Sequence, residues 1–344
     1  MYVRNAWYVA AWDHEVSRTL HRRILLDEPV VLFRKEDGTP VALEDRCCHR
    51  QAPLSMGKLT GNIVECPYHG LQFDSSGKCV KVPSQDMVPS SAKVRSYPVV
   101  EKNQWIWIWM GDPAKADPAL IEDFHWLDDP QWGAAGSYLH VEANYLLLVE
   151  NLLDTTHLPF LHPTSLGTDA FARSEFEVSR EADRVKVTRW LMNELPAPFH
   201  KKMGSFADGL KVDRWQIAGF SPPSFVKLDV GSAPAGTGAR QGERKGHMNM
   251  WNLNAITPET EKTAHYFFAQ AYNVKVNEKW MQEVVRSQVV GAFLEDMAMI
   301  KAQQKNMDLG PTQAVSLGQD KAWIVMRQIV DRMVKEEQQQ VRAA

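Results

Sequence analysis

The sequence is poor in net charge and in long apolar runs. Its 39 lysines and arginines nearly balance its 42 aspartates and glutamates, which excludes a basic surface for nucleic acid or for an anionic membrane. No apolar run approaches the length of a bilayer span, and the opening residues MYVRNAWYVAAWDHEV lack the regions of a signal peptide. We therefore expect a soluble, cytoplasmic protein with a small molecule or another protein as its partner.

Cysteine is also scarce. The 344 residues include only four, Cys47, Cys48, Cys66 and Cys79, all in the first quarter of the chain. A disulfide framework is not expected, because the cytosol keeps thiols reduced. Cysteines clustered beside histidines in such a protein indicate a metal site.

The length predicts about two domains, with a boundary at residue 120. Residues 1–120 contain short apolar runs around the turn signal Asp37-Gly38, and the run from Trp105 to Trp109 is apolar on both faces before Gly111-Asp112-Pro113 ends it. These patterns are typical of an all-β domain.

Residues 121–344 alternate between helical and extended patterns. Helical spacing covers 143–158, 277–305 and 320–340, and strand patterns such as DRVKVTRWL and AHYFFAQAY lie between residues 175 and 270. The sequence thus predicts an α+β chain, with an all-β first domain and an antiparallel sheet with helices in the second.

The strongest motif is a pair of metal-ligand patterns in the first domain. Cys47 and His49 form C-x-H, and after sixteen further residues Cys66 and His69 form C-x-x-H. Two thiolates and two imidazoles are the ligands of a Rieske 2Fe-2S cluster. A structural zinc site is the alternative, but zinc fingers usually place both cysteines in one loop. Cys48 and Cys79 have no matching partner and are expected to be small buried residues.

A second metal-ligand pattern follows at the predicted helix 143–158. Asn151, Asp154 and His157 are three residues apart, on one face of the helix as it ends, and His162 follows. Two histidines and one carboxylate form the facial triad of oxygen-activating iron(II) enzymes. Asp296 is the best candidate for the carboxylate, because its helical neighbours are apolar and a buried, unpaired charge is costly. Glu295 is the alternative, although it is expected to face solvent.

These motifs resemble those of Rieske non-haem iron oxygenases of the vanillate O-demethylase oxygenase family. DRCCHRQAPLSMG and CPYHGLQFDSSGKC are similar to the Rieske domain, whereas NYLLLVENLLDTTHLPFLHPTSLGTDAF and FLEDMAMIKAQQKN are similar to the iron-binding segments. The resemblance implies that Cys47, His49, Cys66 and His69 bind the cluster. It also implies that His157, His162 and Asp296 bind a mononuclear iron(II).

The family resemblance further implies a head-to-tail homotrimer in which Asp154 joins His157 to His69 of a neighbouring subunit. Electrons would come from NAD(P)H through a separate flavin and iron-sulfur reductase, since the chain's GSAPAGTGAR lacks a dinucleotide fingerprint. The implied reaction uses O2 to oxidise a methyl or methoxy group of a small aromatic acid, as in O-demethylation of a vanillate-like methoxyarene.

Several alternatives for the function remain open. Benzylic methyl hydroxylation of a toluenesulfonate-like or toluate-like substrate is one, and ring dihydroxylation is another, less favoured by the resemblance. A non-catalytic Rieske electron carrier is a third, but it would need no second metal site. For the substrate, Asn254 lies where dicamba-demethylating members have a carboxylate-binding histidine. Arg214, Lys227 and His247 are further candidates for binding an anion.

Overall fold

A computed structural model describes residues 1–244 and 246–343. The chain divides into two compact units. The first contains Met1–Ile121, Thr257–Glu261 and the chain from Glu337 onward, and the second contains Glu122–Ile256 and Lys262–Glu336.

The first unit is built from short strands. They are β1 (Trp7–Trp12), β2 (His21–Leu25), β3 (Glu28–Arg34), β4 (Pro40–Glu44), β5 (Lys58–Thr60), β6 (Ile63–Glu65), β7 (Gln72–Phe73), β8 (Cys79–Lys81), β9 (Ser96–Tyr97), β10 (Val99–Lys102) and β11 (Trp105–Trp109). Their sheets have the orders β1-β11-β10, β2-β3-β4-β9 and β5-β6-β7-β8, and the strand pairs are antiparallel. The predicted all-β first domain is thus confirmed.

Strand β11 is covered on both faces, as its sequence predicts. All five of its residues are buried, and it pairs with β1 on one side and β10 on the other. The rings of Trp7 and Trp109 meet edge to face, with centroids 5.5 Å apart. Two residues beyond the strand, at Gly111, the chain passes so close to Asn5 that a Cβ would lie 2.2 Å from the Asn5 Oδ1 atom.

The second unit contains a seven-stranded sheet. Its strands are β12 (Gly133–Val141), β13 (Phe176–Glu181), β14 (Arg184–Glu194), β15 (Val212–Ser221), β16 (Phe225–Pro234), β17 (Met248–Thr260) and β18 (Thr263–Tyr272), in the order β12-β18-β17-β16-β15-β14-β13. Consecutive strands from β13 to β17 pair antiparallel, and so do β12 and β18. The predicted antiparallel sheet is confirmed.

Helices complete the second unit. They are α1 (Tyr145–Leu153), α2 (Leu158–Leu161), α3 (Asp169–Arg173), α4 (Pro198–Gly204), α5 (Lys279–Asp308) and α6 (Lys321–Ala343). The long helices α5 and α6 agree with the periodicity of the sequence. In the described part of the chain, no helix combines the length and the apolar character needed to cross a membrane.

The predicted single helix over 143–158 is wrong in one respect. Helix α1 ends at Leu153, because Asp154 is extended (φ −99°, ψ 91°) and its carboxylate accepts hydrogen bonds from the backbone N–H and the hydroxyl of Thr156. A 3₁₀ turn over Thr155–His157 follows, and α2 then begins at Leu158 although Pro159 comes next. Asp154 and His157 therefore lie beyond the helix that carries Asn151.

Candidate metal centres and the adjoining cavity

Two loops of the first unit repeat one backbone arrangement around a buried cysteine. The carbonyl of Cys47 accepts a hydrogen bond from the N–H of Gln51 at 2.8 Å, and the carbonyl of Cys66 accepts one from the N–H of Gly70 at 3.1 Å. Gln51 and Gly70 both have a positive φ, 57° and 69°, which turns the chain back toward each cysteine. The C-x-H and C-x-x-H patterns thus occupy two similar turns.

The side chains of these loops converge with thiols inside and imidazoles outside. Cys47 and Cys66 are both 2% exposed and their thiols are in contact, whereas the exposed rings of His49 and His69 have centroids 4.6 Å apart. Burial raises the pKa of Cys47 to about 12, so this thiol ionises only beside a cation. Two buried sulfurs beneath two surface imidazoles fit a cluster whose two irons have different ligands.

The remaining two cysteines lie outside this set of four donors. Cys79 is buried in the apolar core of the first unit, as predicted. Cys48 is exposed, so the prediction that it is buried is wrong. It follows Cys47 in a turn at the surface, and Cys47 already occupies the inner side of that turn.

In the second unit, three of the predicted donors form one cluster. Donor atoms of His157, His162 and Asp296 all lie within 4.8 Å of one another. The Oδ1 atom of Asp296 is 3.1 Å from Nε2 of His162 and 3.4 Å from Nε2 of His157. This donor set matches the two-histidine, one-carboxylate arrangement that binds iron(II).

Each imidazole is held through its other nitrogen. Nδ1 of His157 lies 2.7 Å from the backbone carbonyl oxygen of Asp154, and Nδ1 of His162 lies 2.6 Å from Oε2 of Glu295. Such contacts fix the orientation of a metal-binding histidine and leave Nε2 for the metal. Burial by itself would lower the pKa of His162, but its hydrogen bonds with Asp296 and Glu295 raise that pKa above the ordinary value.

Asp296 and Asn151 complete the cluster. Asp296 is 3% exposed on α5, which confirms that its carboxylate is buried, and its Oδ1 accepts a hydrogen bond from the Asn151 amide at 3.0 Å. The Oδ1 atom of Asn151 is buried without a partner among the described residues. The amide thus orients Asp296 and keeps one acceptor available.

The cluster lines a cavity in the second unit. Most of its wall is apolar, with contributions from Leu228 and Val230 of β16, Met250 of β17 and Phe293 of α5. Cavities with mostly apolar walls and a few polar groups are typical sites for small molecules. A ligand bound there would lie beside the histidines and Asp296.

Asn254 is not among the residues that line this cavity. It is fully buried, its amide donates to the carbonyls of Val226 and Asn252, and its Oδ1 accepts from the hydroxyl of Tyr266 at 2.6 Å. Its hydrogen-bonding groups are thus engaged within the sheet. The binding of a substrate by Asn254 stays a prediction, and these contacts give it no support.

Two residues at the cavity and cluster have contacts that the sequence did not reveal. Glu295 is exposed, as expected, with 49% of its side chain accessible, but it also contacts His162. Arg214 was one of three equivalent anion candidates, yet it alone of the three lines the cavity, with Lys227 and His247 elsewhere. Periodicity could not identify Glu295, because its partner lies 133 positions away in the sequence.

Comparison with known proteins agrees with this arrangement. Residues 6–98 match the Rieske [2Fe-2S] domain, and residues 141–336 match the C-terminal domain of vanillate O-demethylase oxygenase. The chain therefore belongs to the vanillate O-demethylase oxygenase family of Rieske-domain oxidoreductases. The predicted family and fold class are confirmed, and a Rieske cluster and a mononuclear iron are the cofactors that its domains and donors accommodate.

Three relatives show how far the similarity extends. The iron-sulfur subunit of the toluene-4-sulfonate monooxygenase system of Comamonas testosteroni is 45% identical over 98% of both chains. A vanillate O-demethylase oxygenase subunit from a Pseudomonas species is 34% identical over 100% of this chain and 98% of its own. The crystal structure of dicamba monooxygenase bound to 3,6-dichlorosalicylic acid has a TM-score of 0.92 and 36% identity, covering 98% of each chain.

Proposed function

We propose that this protein is the oxygenase component of a system that oxidises a methyl or methoxy group of a small aromatic acid. The observation that carries the proposal is the cluster of His157, His162 and Asp296 in the wall of a largely apolar cavity. An apolar wall suits an aromatic ring, and a bound ring would displace water from beside the donors.

The donors divide between two cofactors, in the two domains proposed as residues 1–120 and 121–344. Cys47, His49, Cys66 and His69 would hold the Rieske cluster, and His157, His162 and Asp296 would hold the mononuclear iron. When bound, these groups supply electron transfer and oxygen activation respectively. The protein's own contribution is to position the substrate and to orient the donors.

Two further polar residues act on the donors. Asn151 orients Asp296 through the hydrogen bond from its amide. Asp154 fixes the tautomer of His157, because its carbonyl accepts a hydrogen bond from the Nδ1–H group. We propose that the Asp154 carboxylate contacts the cluster histidine of a neighbouring subunit in a head-to-tail homotrimer. Asp154 would then join His157 to that histidine, as the family resemblance implies. One of its oxygens already accepts from Thr156, so the other is left for that contact.

The chain also needs external electrons, and we infer a separate NAD(P)H-dependent reductase with flavin and iron-sulfur groups. The names of the relatives support a multi-component system, since they are an iron-sulfur subunit and an oxygenase subunit. A cytoplasmic location belongs to the same proposal and rests on four cysteines that form no disulfide.

The relatives support two positions of attack. Vanillate carries a methoxy group, whereas toluene-4-sulfonate carries a ring methyl, and the identity is 34% with the first relative and 45% with the second. Oxidation of a methoxy carbon releases formaldehyde and a phenol, whereas oxidation of a ring methyl leaves a benzylic alcohol. The second metal centre argues against a simple electron carrier, which needs only the cluster.

The test combines metal analysis with turnover. Protein purified anaerobically should contain about three irons and two acid-labile sulfides per chain and give a Rieske EPR signal on reduction. With a compatible reductase, O2 uptake should depend on a methyl- or methoxy-substituted benzoate or benzenesulfonate, and formaldehyde would separate the two positions of attack. Zinc without iron, or substrate-independent O2 uptake, would overturn the proposal.

A further inference from the structure

The cavity beside the donor cluster contains a buried positive charge. Arg214, on β15, is 4% exposed and lines the cavity together with His157, His162 and Asp296. Gln216 is two residues further along the strand, so both side chains lie on the same face of the sheet. Asp296 comes from helix α5 and the two histidines come from the turns on either side of α2, whereas Arg214 comes from the sheet.

No carboxylate pairs with Arg214 among residues 1–244 and 246–343. One Nη atom donates to the carbonyl of Leu166 at 3.2 Å, and Nε is buried without a hydrogen-bond partner in the described part of the chain. The charged or titratable groups that act on it are cationic or neutral, namely Arg189 on β14 and His200 on α4. Burial, followed by repulsion from Arg189, lowers the pKa of Arg214 to about 10.

An unpaired buried guanidinium is costly, and folded proteins normally avoid it. Two partly buried cations of this unit follow that rule, since Lys227 pairs with Glu122 and Arg244 pairs with Asp229. Arg189 is buried too, and its Nε likewise has no hydrogen bond among the described residues, but its guanidinium donates to the carbonyl and hydroxyl of Ser174 at 2.8 Å and does not line the cavity. Arg214 is therefore the buried guanidinium in the cavity wall that has no carboxylate partner among the described residues.

Gln216 gives an independent indication of a polar ligand at this wall. The residue is 6% exposed, and its Oε1 atom is buried without a hydrogen bond from any described residue. The O and N atoms of an amide are assigned by their surroundings, so this group can turn its NH2 toward an anion. Arg214 and Gln216 could then share the oxygens of one acidic group.

We propose that Arg214 binds the carboxylate or sulfonate of the aromatic substrate and so selects acids over neutral arenes. This inference rests on the proposed function, which it deepens by naming the group that is recognised. A guanidinium matches both oxyanions, because its N–H groups form a planar fork. With the acid held at the sheet, the substituent on the far side of the ring is directed into the rest of the cavity.

The inference can be tested by binding under anaerobic conditions, without turnover. The probes are two matched pairs, 4-methylbenzoate with 4-methylbenzamide and toluene-4-sulfonate with toluene-4-sulfonamide, titrated calorimetrically into the iron-loaded protein. The wild type should bind each anion at least roughly ten-fold more tightly than its neutral partner. Arg214→Met should lose roughly 10- to 100-fold in affinity for the anions and change little for the neutral compounds.

Matched variants separate this role from a structural one. Arg214→Lys retains the charge and should keep part of the preference for anions. Arg189→Met removes an equally buried arginine that does not line the cavity, so it should lower the thermal midpoint and leave the preference intact. Arg214→Met should not lower the midpoint of the ligand-free protein, because it removes an unpaired charge.

Three outcomes would overturn the inference. The first is an unchanged preference for anions in Arg214→Met. The second is wild-type protein that binds the amide or sulfonamide as tightly as the anion, and the third is wild-type protein that binds none of the four compounds. The second and third need no variant and apply even if Arg214→Met fails to fold. Because no reaction is measured, anion binding without any oxidation would count against the proposed function and leave this inference standing.

Discussion

The backbone carbonyl oxygen of Asp154 lies 2.7 Å from Nδ1 of His157, so the main chain orients the first histidine of the cluster. The second histidine, His162, is instead oriented by the side chain of Glu295 at 2.6 Å. A substitution can remove the second contact but cannot remove the first. The two histidines should therefore respond differently to changes in their neighbouring carboxylates.

Glu295→Gln should weaken iron binding. The carboxylate of Glu295 orients His162 and raises the basicity of its imidazole, and loss of such a contact typically weakens metal binding roughly 10- to 100-fold. The measurement is chelator competition for iron(II) under anaerobic conditions. Glu283→Gln, at an exposed position of the same helix, is the control and should bind iron like the wild type. Equal affinities for all three proteins would contradict the assigned role.

Asp154→Asn should keep its iron and slow electron transfer. The carbonyl that orients His157 remains, and asparagine can still cap the turn at Thr156. Only the negative charge is lost, and with it the proposed contact to the neighbouring subunit's cluster histidine. We expect iron content to be unchanged and single-turnover oxidation of the cluster to be roughly ten-fold slower or more. A normal rate of cluster oxidation would exclude the bridging role.

Much of the fold follows from periodicity and turn residues alone. The apolar run from Trp105 to Trp109 is a fully buried strand, and helices α5 and α6 extend over the ranges with helical spacing. The break at Asp154 was missed, because Asn151, Asp154 and His157 also fit a continuous helix. Hydrogen bonds between the Asp154 carboxylate and Thr156 decide that break.

The site likewise contains residues that the sequence could predict and residues that it could not. The positions of the histidines and of Asp296 could be predicted, because their spacing and apolar neighbours are local signals. Glu295 and Arg214 could not, since a charged residue beside a buried stripe is usually solvated. Tertiary contacts distinguish the two residues. Glu295 contacts a histidine far away in the sequence, whereas Arg214 has no carboxylate partner among the described residues.

His162→Ala and Asp296→Ala should each remove the mononuclear iron and leave the Rieske cluster in place. The cluster donors lie in the first unit and the iron donors in the second, so the two sets are independent. Iron content should fall from about three to about two atoms per chain, while the EPR signal of the reduced cluster is retained. Turnover should be abolished. Loss of both metals from either variant would contradict the assignment of separate sites.

Glu122→Gln should destabilise the second unit in a pH-dependent manner. The Glu122 carboxylate is 7% exposed and forms ion pairs with Arg184 at 2.8 Å and with Lys227 at 2.5 Å. Burial by itself would raise its pKa, but the contacts with Arg184 and Lys227 lower that pKa below the ordinary 4.5. Removing the charge at neutral pH should cost about 1–3 kcal/mol, since both cations lose their partner but Arg184 can return to water.

The sign of this pH dependence follows from the lowered pKa. A carboxylate whose pKa is lower in the folded state stabilises that state fully above its unfolded value and loses the effect as the pH falls through the folded value. The difference in thermal midpoint between wild type and Glu122→Gln should therefore be large at about pH 7 and shrink below pH 4.5. Glu194→Gln, at an exposed strand position, should show no such difference. If the difference in thermal midpoint between wild type and Glu122→Gln were constant over this pH range, the ionised carboxylate would contribute nothing to stability.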